Sequence, residues 1–265
     1  MEARSQSPHA QVRNRRDPQR PHQPVRQAPP PGRPRRDPGR HHRRRGRGRP
    51  GTRRPLDHAP IHTTLQQAGA APLTYGQDVS NYQPDHDWTA SPAQFGIIKA
   101  SEGTGFRDRA FARHWRELDK KGIVRGAYHY GHPGNDPIAE AEHFLSVVNS
   151  QPAKPGDLLV LDLETTDGRS VAEVNAWAKT WLAHVKAKTG ATPIFYSGWN
   201  FADTYGKGLA EYPLWVAHYS RPKGAVSPPA DWKTWTIHQY SDSPIDQNVS
   251  ALTPDQLRSL GRPER

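Results

Sequence analysis

No cysteine occurs in the 265 residues, which excludes disulfides, thiol catalysis and cysteine-ligated zinc and leaves stability to core packing. No apolar run reaches the roughly 18 residues of a membrane span, and the N-terminus lacks the apolar segment of about 7–15 residues that marks a secretory signal. The export route is therefore open. No HExxH pair is present, so His129, His218 and His238 read as hydrogen-bonded strand histidines and no metal site is expected. The stretch "SEGTGF" lacks both GxGxxG and Walker spacing and reads as an ordinary loop between a strand and a helix.

The first 60 residues lack lysine and almost every large apolar side chain, yet they hold 17 Arg against 4 acids, and 12 of the chain's 27 prolines. Such a composition cannot bury enough surface to offset chain entropy, so residues 1–70 are expected to be a disordered Arg/Pro-rich extension. Clustered guanidinium groups suit an anionic polymer, either nucleic acid or a wall polymer, while an inert extension fits the same composition. The charge of +11 belongs to this segment, because residues 61–265 carry 20 Lys and Arg against 22 acids.

From Tyr75 onward the pattern changes. Short β-rich runs ("YGQDVSNY", "FGIIKAS", "VRGAYHY", "DLLVLDLE", "PIFYSG", "LWVAHY", "TWTIHQY" and a short "PIDQNV") alternate at first with helical stretches. Phe111, Trp115 and Leu118 form an apolar stripe closed by Gly122, and Asn135-Asp136-Pro137 opens a second helix. Ser170 and Glu173 fit a capping box before Val174, Trp177, Trp181 and Val185, and Thr253-Pro254-x-Gln256 repeats that signal. After "PIFYSG" the separations turn Pro/Gly-rich and helices are expected to be lost. The reading is an α/β fold, an irregular TIM-like βα barrel over residues 71–265.

Barrels of this kind build their sites at the C-terminal ends of the strands. Asp78, Glu102, Tyr128, His129, Asp162, Glu164, Tyr196, Trp215, Tyr219, Gln239 and Tyr240 fall at or near such ends, and one pocket is expected to collect them. Asp162 and Glu164 sit at alternate positions of the run "DLLVLDLE" and so share one face. They read either as a structural pair bound to Lys99 or Arg125, or as chemistry. Asp78, and Asp246 ending the last strand candidate, add further acids to the same mouth. Acids so grouped raise one another's pKa, and one protonated acid beside one carboxylate is what glycoside hydrolysis needs. Tyr128, Tyr130, Tyr196, Trp199, Trp215, Tyr219 and Tyr240 offer faces on which sugar rings stack, or else pack the barrel.

The ordered series "YGQDVSNYQ", "IIKASEGTGFRD", "GAYHYGHP", "LDLE", "IFYSGWNF", "LWVAHY", "HQYS" and "IDQNV" resembles glycoside hydrolase family 25, the N-acetylmuramidases of Chalaropsis-type lysozymes and phage endolysins. The resemblance runs from Tyr75 to Leu260. It implies a barrel of about eight strands and five helices with its groove at the strand C-termini. It also implies cleavage of the β-1,4 bond after N-acetylmuramic acid in peptidoglycan, by a monomer acting at the cell wall, with no metal or organic cofactor. By the same resemblance Glu164 is the general acid, held in a strand, Asp162 its partner carboxylate, and Asp78 and Asp246 the other acids of the cluster. Tyr128, Tyr196, Trp215, Tyr219 and Gln239 match positions that line the groove. The nucleophile stays open between the substrate's acetamido group and a carboxylate. A chitinase-like barrel lacks its extended DxxDxDxE pattern here, and a non-catalytic binding barrel would need a broken acid cluster.

Overall fold

The computed structural model describes residues 72–264. The expectation of disorder over residues 1–70, and the 70/71 boundary, lie outside them. Fourteen elements follow in order: β1 Thr74–Val79, β2 Phe95–Glu102, β3 Phe106–Arg107, α1 Phe111–Lys121, β4 Val124–Tyr130, α2 Pro137–Val148, β5 Leu158–Asp162, α3 Val171–Thr189, β6 Ile194–Gly198, α4 Trp199–Tyr205, β7 Leu214–Ala217, β8 Ile237–Ser241, β9 Asp246–Ser250 and α5 Pro254–Arg258. Among the described residues no helix is long and apolar enough to cross a membrane.

The strands run in the order β1-β9-β8-β7-β6-β5-β4-β2, and β1 pairs with β2 to close a ring of eight. The expected barrel is present. Its pairs are parallel except at β9, which runs antiparallel to both β1 and β8. β3 is a two-residue addition to β2, made by a hairpin through Gly103, where the backbone takes a φ of 53°. "SEGTGF" is therefore a hairpin turn before it becomes a connection to α1.

Alternation of period two sorts the strand residues into two layers. Phe95 and Ile97, Leu158 and Val160, Ile194 and Tyr196, Trp215 and Ala217, and Ile237 pack together as the barrel interior. Their neighbours Ile98 and Ala100, Leu159, Leu161 and Leu163, Phe195, and Leu214 and Val216 pack outward against the helices. Near its base the interior is tight: a Cβ on Gly76 would lie 2.2 Å from the Phe95 ring.

The helix signals hold where caps announced them. Gly122 ends α1 in the left-handed conformation, Asp136 caps α2 through the Ala139 N–H, and both capping boxes are formed at α3 and α5. Trp181 of α3 is fully buried and stacks on His129 of β4; truncating such a side chain to Ala costs about 3–5 kcal/mol. The helices are not wholly lost after β6, since α4 follows at once from Gly198, with no side-chain cap to announce it.

The last residues return to the base of the barrel. Arg262 N–H donates to Asp157 O, Gly156 N–H to Arg262 O, and Thr192 N–H to Leu260 O, beside the starts of β5 and β6.

Candidate active site

Inward positions toward the C-terminal ends of five parallel strands are where the barrel interior turns polar. Asp78 of β1, Lys99 of β2, Tyr128 of β4, Asp162 of β5 and Gln239 of β8 occupy those positions, each in phase with the interior residues before it. Asp246 enters differently. It begins β9 rather than ending it, and because β9 runs antiparallel its first residue reaches the same mouth, opposite Asp78 in register.

Glu164 lies two residues beyond the end of β5, so it is not held in a strand as expected. Leu163 packs in the outer layer, and continued alternation puts Asp162 and Glu164 on the other, inward face. Leu163 N–H donates to Tyr196 O at 3.1 Å, and Ser197 Oγ donates to Leu163 O at 2.6 Å, tying this segment to β6. Glu164 meets solvent at the mouth while Asp162, 6% exposed, sits beneath it.

The four acids form two pairs. Asp162 and Glu164 are neighbours on one face of the segment, and both are raised above the usual carboxylate range, first by removal from bulk water. The negative charge of Glu164 raises Asp162 further, and the nearby Lys99 ammonium opposes the shift at both. Two carboxyls this close share a proton rather than ionise together. Asp162 Oδ1 is buried and has no hydrogen-bond partner among the described residues.

Asp78 and Asp246 make the second pair. Burial raises Asp78 to about 6, against hydrogen bonds from Asn248 and Gln239 that hold it down. Burial, then the charge of Asp78, raises Asp246 to about 8.

Asp78 is the end of a polar network through the barrel. Its Oδ2 accepts from Asn248 Nδ2 at 2.6 Å and Gln239 Nε2 at 2.9 Å. Asn248 Oδ1 accepts from Trp215 Nε1, and Gln239 Oε1 accepts from both the Tyr196 and Tyr219 hydroxyls, each contact at 2.8 Å. The two amides have every direction fixed, because each must donate to a carboxylate on one side and accept from an aromatic side chain on the other. Trp215 and Tyr196 are buried as a floor, their rings 4.4 Å apart, while Tyr219 is exposed at 39% and offers a face to the groove.

The mouth thus brings together Asp78, Asp162, Glu164, Asp246, Tyr128, Tyr196, Trp215, Tyr219 and Gln239. His129 does not join them: it turns outward, fully buried between Ser101, Glu140 and Trp181, because it is one residue out of phase with Tyr128. Tyr240 is likewise out of phase with Gln239 and bonds Gln247, and Trp199 packs in the outer layer. Neither cation expected of a structural pair bonds Asp162 or Glu164, since Lys99 pairs with Glu102 and Arg125 with Asp157 and Asp119. Asn248 went unpredicted. Its signal was available, two positions after Asp246 on the same face of β9.

A sequence model of the family described as Glycosyl hydrolases family 25 matches residues 77–249. Uncharacterized protein YegX of Escherichia coli strain K12 is 34% identical over 219 residues, which cover 76% of this chain and 78% of that protein. Lysozyme M1 of Streptomyces globisporus is 32% identical over 184 residues, 63% of this chain and 61% of that protein. The structure of a family GH25 lysozyme from Aspergillus fumigatus superposes with a TM-score of 0.66 at 30% identity, over 72% of this chain and 100% of that one.

Proposed function

The chain belongs to the glycosyl hydrolases of family 25, and on that premise we propose how its two carboxyl pairs run the reaction of a lysozyme. The enzyme is a 1,4-β-N-acetylmuramidase that hydrolyses the bond between N-acetylmuramic acid and N-acetylglucosamine in peptidoglycan.

Glu164 is the proton donor in this reading. It is the acid of its pair that meets the open mouth, while Asp162 beneath it keeps an unpartnered Oδ1. The sugar's 2-acetamido N–H suits that oxygen. Its arrival favours the charged form of Asp162 and leaves the shared proton on Glu164. Glu164 then gives this proton to the glycosidic oxygen as the bond to the anomeric carbon breaks. The acetamido carbonyl oxygen attacks the same carbon, giving an oxazolinium ion whose N–H stays bonded to Asp162. Water opens that ion, Glu164 takes back a proton, and the configuration is retained.

The observation that carries this reading is the arrangement of the two acids, Glu164 exposed at the mouth and Asp162 buried beneath it with an unpartnered Oδ1. A carboxylate nucleophile stands across the sugar from its acid, whereas Asp162 and Glu164 alternate along one segment and share a face, which fits an acid plus an amide-orienting group better. Asp78 and Asp246 hold the second proton beside the site, and Tyr128, Tyr196, Trp215, Tyr219 and Gln239 shape its floor and wall. Both pairs come from one chain, which suits a monomer.

The test is digestion of purified peptidoglycan followed by reduction of the new ends. Muramitol is expected, and glucosaminitol in its place overturns the bond assignment. The Arg-rich first 60 residues are read as a contact for anionic wall polymers. Deleting residues 1–70 is expected to weaken action on whole walls at low salt and leave soluble fragments unaffected.

A further inference from the structure

Beside the carboxyl pairs, the mouth holds a second set of charged side chains. Lys99 Nζ donates to Glu102 Oε2 at 2.6 Å. The His132 ring reaches two carboxylates at once, Glu102 Oε1 at 3.2 Å from Nε2 and Asp167 Oδ2 at 3.3 Å from Nδ1. A ring that meets an acid at both nitrogens is cationic, and its pKa is raised to about 9, first by the bond to Glu102.

His132 stands on a fixed platform. Its backbone N–H donates to Glu140 Oε2 at 3.0 Å, and Asn135 Nδ2 donates to Glu140 Oε1 at 2.6 Å. Asn135 O in turn accepts from Trp177 Nε1 at 2.9 Å.

Asp167, the residue His132 reaches for, belongs to the turn that carries Glu164, three positions before it. Its φ of 47° is one that a residue other than glycine seldom adopts. Such a backbone persists only where its surroundings hold it. Here Gly134 N–H donates to Asp167 Oδ2 at 3.1 Å, Thr165 Oγ1 donates to Oδ1 at 3.0 Å, and His132 supplies the third hold.

We propose that His132 is a positioning residue for glycoside cleavage: gripping Glu102 with one ring nitrogen and Asp167 with the other, it fixes the turn carrying Glu164 against β2 and the β4–α2 loop. This rests on reading Glu164 as the proton donor. A donor beyond the end of its strand needs such a hold, because small displacements of a reacting group cost rate out of proportion to binding.

The experiment compares the full-length chain with His132→Gln and Asp167→Asn. Glutamine cannot bridge both carboxylates, and asparagine tolerates the left-handed backbone while giving up the charge. Turnover of soluble glycan fragments and amide hydrogen exchange over residues 163–168 are both measured. We expect kcat to fall about 10-fold or more in each variant with KM changed less than about threefold, and exchange over 163–168 to quicken. Loss of kcat with a fixed KM is what a clamp that acts through Glu164 rather than on the sugar predicts. Either kcat within about twofold of the parent in both variants, or a loss confined to KM, overturns the positioning role. Unchanged exchange in both overturns the clamp itself, and that measurement needs no substrate. Failure of the muramidase reading would show instead in the parent, as an absence of muramitol. Should His132→Gln not fold, Asp167→Asn alone decides.

Discussion

Asp78 and Asp246 stand directly opposite each other in the antiparallel β1–β9 pair, and the charge of Asp78 helps to raise Asp246. In a sheet, like charges facing each other are destabilising. The pair is tolerated because one member keeps its proton, and the cost appears only when that proton is taken away.

Stability should therefore fall as pH rises through the range in which Asp78 and Asp246 ionise. Both are raised, to about 6 and about 8, so the folded chain binds more protons than the unfolded one between pH 4 and 8, roughly the span from the usual aspartate value upward. In that window ΔG of unfolding decreases with pH. Asp246→Asn, which keeps a hydrogen-bond donor to Asp78 but cannot ionise, should gain thermal stability relative to the parent between pH 5 and pH 8. Melting curves of the two proteins at a series of pH values decide it, and parallel trends would refute the shared proton.

Glu164→Gln should lower turnover by about 10² to 10⁴ while leaving the melting temperature nearly unchanged. Residue 164 lies exposed at the mouth outside the apolar core, so its loss is chemical. Retention of more than about half of the parent rate would remove Glu164 from the role of proton donor.

Asp162→Asn should also lose activity, and azide should fail to restore it as an inverted glycosyl azide. If the substrate's own amide is the nucleophile, the variant lacks an orienting group and no space opens at the anomeric carbon. The same treatment of Asp78 and Asp246 variants, with product configuration determined, covers the other carboxylates. Rescue of any one by azide would identify that residue as a direct nucleophile.

Lys99→Met should shift the alkaline limb of kcat/KM to higher pH. The Lys99 ammonium holds both Asp162 and Glu164 down, so its removal lets the pair keep its proton further into the alkaline range. A limb that stays in place or moves down would show that Lys99 does not act on the pair.

Much of this architecture is legible in the sequence, for identifiable reasons. Strand alternation and helix caps are local, and they placed Asp78, Asp162, Tyr196 and Gln239 in one mouth and set the start of α3. His129 and Tyr240 were assigned to that mouth by their nearness to strand ends, although each is one residue out of phase with its inward neighbour. The direction of β9 was not legible, because "IDQNV" reads alike either way, and the opposition of Asp246 and Asp78 depends on it. Asn248 carries a local signal, its place two residues after Asp246 on one face of β9, whereas the role of His132 depends on a partner distant in sequence. His132 meets Asp167 across 35 positions, and Asn248 meets Asp78 across 170.

The reversed strand also decides where foreign sequence can be attached. β9 starts at the groove and ends at the base, and the residues behind it are strapped to the starts of β5 and β6. β1 likewise sets out from the base, where Thr74 pairs with Ser250. A reporter or wall-targeting module fused behind residue 264 would leave from the back of the barrel, so a glycan strand far longer than the enzyme could still thread across the open front.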